Sequence, residues 1–181
     1  MYGIVNKSIE ELISKKFGII IWNKIKKRSG VQVDFFLNNE GYDDAITYQL
    51  AGAAAEELNI SVDAVLNAFG EWWIMHTCKE KYGAMMEAGG DDLKTFLLNL
   101  PRFHDRVMLM YPKSSQPEFK VELVDERVLL VQYKSVRLGL KEFVRGLMRG
   151  LSIFFNTDVD IELMESREQG DMHEVFKISW K

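Results

Sequence analysis

Cysteine and long apolar runs are both scarce in this 181-residue sequence, and each scarcity excludes a class of protein. The one cysteine, Cys78, has no second thiol for an internal disulfide, a redox pair or a zinc knuckle, which favours a reducing compartment. No apolar run reaches membrane-spanning length, and the opening MYGIVNKSIEELI lacks the features of a signal peptide. We therefore expect a soluble, cytoplasmic protein with no membrane partner.

An excess of positive charge is also missing. Lys and Arg number 23 against 27 Asp and Glu, so the net charge is −4 and no long-range field attracts a phosphate backbone. Nucleic acid is therefore not an expected partner. The hydrophobic fraction of 47% is enough for one well-packed domain with room to enclose a sizeable ligand.

The hydrophobic period changes partway along the chain. Spacings of three and four predict helices over about 5–17, 45–58, 61–79 and 140–155, a short helix that ends at Gly30, and a helix that begins at Asp91 and Asp92. FKVELVD, VLLVQYKSVR, DVDIELMES and HEVFKISW instead have the composition of strands. The predicted fold is α+β, a helical N-terminal half packed on a C-terminal antiparallel sheet with a long helix. One domain is expected, with a helical subdomain over about 1–60, an α+β part over about 61–181 and a ligand pocket between the halves.

His104 lies on the apolar stripe of its predicted helix. The stripe also contains other residues at spacings of three and four: Leu97, Leu100, Val107, Met108 and Tyr111. A buried neutral imidazole needs partners for its nitrogens, and those partners are either hydrogen-bonding groups of the core or a metal. His76 and His173 have no neighbours at zinc-ligand spacing, so a metal would have to arrive within a cofactor.

Tyr133, Ser135 and Arg137 form a second candidate site. They alternate at the end of the predicted strand VLLVQYKSVR and are expected to share one face. Two hydroxyls and a guanidinium suit a carboxylate or a phosphate, and the alternative is a solvent-facing strand edge. No catalytic triad, glycine-rich phosphate loop or catalytic carboxylate pair is recognisable elsewhere.

Taken together, these motifs resemble the H-NOX family of heme-based nitric oxide and oxygen-binding domains, which includes the sensory domain of soluble guanylate cyclase and stand-alone bacterial sensors. MYGIVNK, FGEWW, LPRFHDRV, YPKSSQPEF and YKSVRLGLKEFVRGL occur in the family's order and spacing along the whole chain. The combination of His104, the downstream YKSVR and Pro117 between them is the specific part of the resemblance.

The resemblance implies a heme b cofactor, iron protoporphyrin IX, buried between the two halves. His104 would be the protein ligand of the iron, and Tyr133, Ser135 and Arg137 would hold the propionates. Pro117, thirteen residues after His104, would press on the porphyrin and distort it. The remaining predicted cofactor contacts are apolar: Val5, Trp73, Phe143, Leu147 and Leu100.

The resemblance also implies a function. Oxygen-binding members of the family place a tyrosine at the position of Phe143, so the chain is closest to members that bind nitric oxide and carbon monoxide at a five-coordinate ferrous heme and exclude oxygen. Loss of the iron–His104 bond would signal to a separate protein, a histidine kinase or a diguanylate cyclase. We expect no enzymatic activity. The alternatives are a heme enzyme of peroxidase-like or nitric oxide-detoxifying type, and an α+β protein that binds a small carboxylate without heme.

Overall fold

The computed structural model describes residues 1–112 and 115–181. Lys113 and Ser114 of the predicted YPKSSQPEF loop lie outside the described residues. The helices are α1 (Gly3–Phe17), α2 (Ile19–Ser29), α3 (Asp44–Leu58), α4 (Val62–Trp72), α5 (Lys79–Glu87), α6 (Leu93–Met108) and α7 (Lys141–Phe154). The strands are β1 (Glu118–Asp125), β2 (Val128–Lys134), β3 (Val159–Glu165) and β4 (Glu174–Trp180).

Side-chain caps fix where the helices begin. Ser61, the predicted cap of α4, accepts a hydrogen bond from the backbone N–H of Ala64 at 3.1 Å. Asp92 accepts from the backbone N–H of Thr95 at 2.8 Å and begins α6 where the sequence predicted it. Because α6 starts in this register, its apolar stripe faces inward, and Leu93, Phe96 and Leu97 are buried.

The helical segment predicted over 61–79 is not uniform. Between α4 and α5, the residues Trp73–Cys78 form a π-helical turn, which the expected period of 3.6 does not describe. The φ and ψ angles of Tyr82 (−129°, 16°) also depart from helical values and kink α5. Both irregularities face the region between the helices and the sheet.

The four strands form one antiparallel sheet in the order β1-β2-β4-β3. One face is apolar and turns toward the helices, with Leu129 and Val131 of β2 opposite Ile178 and Phe176 of β4. β2 ends at Lys134, so Ser135 and Arg137 lie in a bend beyond the strand and not on the predicted strand face.

α4 and α7 approach each other closely at two glycines. A Cβ atom on Gly70 would lie 2.1 Å from the backbone oxygen of Phe143, and one on Gly146 would lie 2.1 Å from that of Asn67. These distances are far inside van der Waals contact, so both positions require glycine. This close packing of α4 and α7 places Phe143 and Leu147 of α7 beside the region between the helices and the sheet.

The α+β prediction is confirmed, and the buried core is continuous through both predicted subdomains. The subdomain boundary near residue 60 stays a prediction. Phe17, at the end of the predicted stripe of α1, is 48% exposed because the chain turns at Gly18 into α2. Within the described ranges, none of the helices combines the length and the apolar character needed to cross a bilayer.

Candidate functional site

A large cavity separates the helices from the sheet. It holds about 1110 Å³ of space between protein atoms, a volume that includes its open mouth. Its polar lining groups are few among the described residues. The lining is otherwise apolar or aromatic: Met1, Tyr2, Ile4, Val5, Leu66, Phe69, Trp73, Cys78, Tyr82, Phe103, Val107, Met108, Tyr111, Pro117, Phe119, Tyr133, Leu140, Phe143 and Leu147, with Thr47, His104 and Arg137.

His104 projects from α6 into this cavity. Its ring lies 5.1 Å from the ring of Phe119 in an edge-on arrangement, which fixes one side of the imidazole against β1. Burial lowers the pKa of His104 below its ordinary value, although the nearby Asp105 carboxylate acts in the opposite direction. No hydrogen bond to this ring is found among the residues that the structure describes. The site therefore presents a neutral imidazole to the cavity. This differs from the alternative of a core histidine whose nitrogens are hydrogen-bonded.

Tyr133 and Arg137 also line the cavity. The ring of Tyr133 lies 5.3 Å from that of Phe119, so Phe119 connects it to His104. Burial raises the pKa of the Tyr133 phenol, although a hydrogen bond with Ser135 acts in the opposite direction. Ser135 does not itself line the cavity, and its hydroxyl accepts from the backbone N–H of Arg137 at 3.1 Å.

Asp44 holds the guanidinium of Arg137. Nε of Arg137 donates to Oδ2 of Asp44 at 2.7 Å, and Nη2 donates to Oδ1 at 3.3 Å. Nη1 donates to the backbone oxygen of Ser115 at 2.7 Å. Partial burial acts to raise the pKa of Asp44, but hydrogen bonds from the Met1 amine and from Arg137 lower it overall. Asp44 was not predicted, and the bonds described leave one N–H on each terminal nitrogen of Arg137 for an anion in the cavity.

The wall formed by α1, α4, the π-helical turn and α7 is apolar. All four residues predicted there line the cavity: Val5, Trp73, Phe143 and Leu147. Phe69 strengthens this wall, since its ring centroid lies 4.9 Å from that of Phe143 and 6.0 Å from that of Trp73. Pro117 lines the cavity as predicted, whereas Leu100 is 6% exposed and packs in the core without lining the cavity.

The indole of Trp73 is engaged by the one cysteine. Burial raises the pKa of the Cys78 thiol to about 12, although a hydrogen bond from Trp73 acts in the opposite direction. The thiol is therefore uncharged at neutral pH, and the indole N–H of Trp73 interacts with it. The remaining groups of the wall offer no strong hydrogen-bond donor among the described side chains.

Two further tyrosines were not predicted as a pair. The hydroxyl oxygens of Tyr82 and Tyr111 lie 2.6 Å apart, and the ring of Tyr2 packs 4.7 Å from that of Tyr111. This bond joins α5 to the segment that follows α6. Phe119 was also not predicted as a site residue. It pairs with Tyr133 in the β1–β2 register, so the predicted hairpin of these two strands could have identified it.

Comparison with known proteins agrees with this architecture. An H-NOX protein from S. oneidensis in the Fe(II)NO ligation state has a TM-score of 0.90 at 19% identity, covering 100% of this chain and 99% of that chain. A mutant of the unliganded Fe(II) H-NOX protein from K. algicida has a TM-score of 0.87 at 25% identity, covering 100% and 97%. The soluble guanylate cyclase gcy-37 of Caenorhabditis elegans is 30% identical over 173 residues, which are 93% of this chain and 24% of that protein.

The fold and these similarities define a heme-binding gas-sensor domain. The family model described as Haem-NO-binding matches residues 2–163, and the chain belongs to this H-NOX family. The cofactor of the family is heme b, and its ligands are diatomic gases such as nitric oxide and carbon monoxide. The chain spans about a quarter of the length of the guanylate cyclases it matches.

The residues present fit a heme. The described residues hold no group of three or more His, Cys, Asp or Glu that could bind a metal ion alone, so iron would have to arrive within its porphyrin. The cavity offers a flat ligand apolar walls, one neutral imidazole and, at another point of its lining, a guanidinium with unused donors. A porphyrin with anionic propionates needs this donor set.

Proposed function

We propose that this chain senses nitric oxide, binds nitric oxide and carbon monoxide at a five-coordinate ferrous heme, and excludes oxygen. The observation that carries the proposal is the polarity of the cavity, which has a neutral imidazole on one wall and an apolar surface on another. The heme, when bound, supplies a ferrous iron with an open coordination position for a diatomic gas. The side chains of this protein supply the iron ligand, the propionate site and the apolar wall.

His104 is the proposed protein ligand of the iron, and Tyr133, Ser135 and Arg137 are the proposed propionate site. The lowered pKa of His104 keeps its lone pair free of a proton at neutral pH. Arg137 supplies charge, Tyr133 supplies a protonated phenol, and Ser135 acts by holding both of them. Asp44 restrains the guanidinium, so that part of the side-chain entropy is already lost before an anion binds.

The reduced, heme-bound protein is expected not to bind oxygen stably. Bound oxygen develops negative charge and needs a hydrogen-bond donor worth about 1–3 kcal/mol in a dry pocket, whereas nitric oxide does not. Val5, Phe143 and Leu147 offer no donor, and the Trp73 N–H is engaged by Cys78. When the reduced holoprotein is exposed to air, its visible spectrum should show no stable oxygen complex, while nitric oxide should bind fully.

The matched variant for this experiment is Phe143→Tyr, which adds one hydroxyl to the apolar wall. It should be the single substitution that most increases oxygen affinity, and Phe154→Tyr, outside the cavity lining, should leave the spectrum in air unchanged. A stable oxygen complex in the parent protein would disprove oxygen exclusion.

Signalling is proposed to pass through α6. His104 would tie α6 to the cofactor; if nitric oxide binding removed that tie, α6 would keep its contact with Phe119 of β1, and the segment after α6 would keep the bond between Tyr82 and Tyr111. Pro117, beside β1, would then relax with the cofactor. Family resemblance suggests a histidine kinase or a diguanylate cyclase as a separate partner protein.

This mechanism predicts a local change in hydrogen exchange. Backbone amides over residues 101–111 should exchange faster in the nitric oxide-bound protein than in the unliganded ferrous protein, because α6 loses its anchor at His104. The internal control is β3, which does not line the cavity and should exchange equally in both states. Equal exchange over residues 101–111 in the two states would contradict release of His104.

The enzymatic alternative lacks the group it needs. A peroxidase-like or nitric oxide-detoxifying heme enzyme requires a polar acid or base opposite the proximal histidine. The described residues on the apolar wall provide neither an imidazole nor a guanidinium nor a carboxylate. The match to the family model described as Haem-NO-binding supports a sensor domain over this alternative.

A further inference from the structure

The propionate site proposed above lies where the sheet has ended. The last pairs of the ladder are Glu118 with Lys134 on one side of β2 and Tyr133 with Glu174 on the other. Beyond them the backbone bends, so the carbonyl groups of Ser135 and Arg137 have no strand partner. Asp44 holds the side chain of Arg137, but the backbone of the bend needs hydrogen-bond donors from outside the sheet.

Arg167 is one such donor, and Tyr48, whose hydroxyl donates to the backbone oxygen of Leu138 at 2.8 Å, is another. Nη1 of Arg167 donates to the backbone oxygen of Ser135 at 2.6 Å and to that of Arg137 at 3.2 Å. One guanidinium nitrogen thus holds the carbonyls of both polar residues in the bend. Charged donors form stronger hydrogen bonds than neutral donors, and the site is partly buried.

A rigid turn between β3 and β4 presents Arg167. Ser166, which is buried, accepts from the backbone N–H of Glu168 at 3.3 Å, and its own N–H donates to Asp171 at 2.8 Å. The chain leaves the turn at Gly170, whose φ of +98° favours glycine. Glu168 also forms an ion pair with Lys141 at the start of α7. The turn is therefore tied both to its own backbone and to a helix that lines the cavity.

The charge of Arg167 also matters. Glu174 is buried and pairs with Tyr133 in the sheet, so its side chain lies on the same face as the phenol. Its Oε2 has no hydrogen-bond partner among the described residues. Burial raises the pKa of Glu174, while the charge of Arg167 acts in the opposite direction. Arg167 therefore offsets a carboxylate that would repel an anion bound beside Tyr133.

We propose that Arg167 is a positioning residue of the propionate site, which sets the geometry of Ser135 and Arg137 through their backbone carbonyls and does not itself touch the heme. This inference rests on the proposed function, because it needs the propionates to bind at Tyr133, Ser135 and Arg137. It adds a residue from outside the YKSVR motif, contributed by a turn 30 positions beyond Arg137.

The test compares four proteins: the parent, Arg137→Ala, Arg167→Ala and the double variant. Heme loss is measured as transfer to an excess of a heme-accepting protein, once with heme and once with its dimethyl ester, which lacks the propionate charges. We expect Arg167→Ala to lose heme about tenfold faster than the parent, in the range expected for hydrogen bonds from a charged group. The effect should largely disappear with the dimethyl ester, and the double variant should be no worse than Arg137→Ala.

A second readout uses the heme-free protein. The amide hydrogens of residues 136–138 should exchange faster in Arg167→Ala than in the parent, and Arg167→Lys, which keeps the charge and can reach a carbonyl, should restore part of the protection. Arg149→Ala is the matched control. This α7 arginine is 58% exposed, lies 4.0 Å from Glu71 and does not line the cavity. It should change neither readout.

The outcomes separate the two proposals. If Arg137→Ala loses heme faster but Arg167→Ala behaves as the parent, the positioning role is wrong and the propionate site stands. Equal acceleration with heme and with the ester, or additive effects in the double variant, would show a general structural role and overturn the inference. If Arg137→Ala itself retains heme as tightly as the parent, both the propionate assignment and the role of Arg167 fail.

Discussion

Replacing His104 by glycine is expected to abolish stable heme binding, and added free imidazole is expected to restore it. His104 is the one imidazole that lines the described cavity, so its removal deletes the only protein–iron bond of the proposed site. Loss of the ligand should weaken heme retention by more than the roughly 10–100-fold that loss of an outer partner typically costs a metal site. The vacated space should accept imidazole, because glycine leaves the cavity wall otherwise intact.

The measurement is the Soret band of the reduced protein at increasing imidazole concentration. His76→Gly is the matched control, since His76 is exposed and stacks on Trp72 outside the cavity, and it should keep the spectrum of the parent. The heme-free His104→Gly protein should melt only a few degrees below the parent, because glycine inside a helix costs about 1 kcal/mol and the imidazole makes no hydrogen bond among the described residues. An unchanged five-coordinate ferrous spectrum in His104→Gly without imidazole would disprove the assignment.

Gly70→Ala should destabilise the protein by more than about 3 kcal/mol, lowering the melting temperature by roughly 6–12 °C. The added Cβ would lie 2.1 Å from the backbone oxygen of Phe143 and 2.7 Å from the backbone nitrogen of Leu147. These are backbone atoms, so α7 would have to move as a unit. Since alanine is favoured over glycine in an unobstructed helix by about 1 kcal/mol, the sign of the effect alone is informative.

Gly52→Ala is the matched control in α3. A Cβ there meets nothing within 4 Å, so the substitution should be neutral or slightly stabilising. Gly146→Ala, on α7, should cause a similar loss of stability, because its Cβ would meet the backbone of α4. Heme-free proteins compared by thermal unfolding give the stability effect without cofactor binding. A Gly70→Ala protein as stable as the parent would show that α4 and α7 do not make this contact.

Periodicity predicted the parts of the site that local geometry controls. His104, Val107 and Met108 share a face because a helix of 3.6 residues per turn places them there, and all three line the cavity. Leu100, on the same stripe, does not line the cavity, and its contact with the cofactor stays a prediction. It lies one turn before His104 and is buried in the core, because a stripe indicates which side faces inward but not where along the helix a cavity ends.

Contacts between distant segments were not predictable from the pattern. Asp44 holds Arg137 across 93 positions of sequence, and no spacing rule connects them. Strand alternation also placed Ser135 and Arg137 on one strand face, whereas β2 ends at Lys134 and hydrogen bonds from Arg167 hold the bend. The motif identified the residue types, and the tertiary structure determines how they are held.

The π-helical turn makes the cavity sensitive to helix winding as well as to composition. Phe69 and Trp73, then Cys78 and Tyr82, line the cavity at intervals of four, five and four residues. In a regular α-helix of the same length, continuation in steps of four would bring Thr77 and Lys81 to that face, exchanging a thiol and an aromatic ring for a hydroxyl and an ammonium group. Rewinding Trp73–Cys78 as regular α-helix at constant length would therefore change the chemistry of the pocket, whereas deleting one residue between Trp73 and Cys78 should remove the π-helical turn and keep Cys78 and Tyr82 on the cavity face.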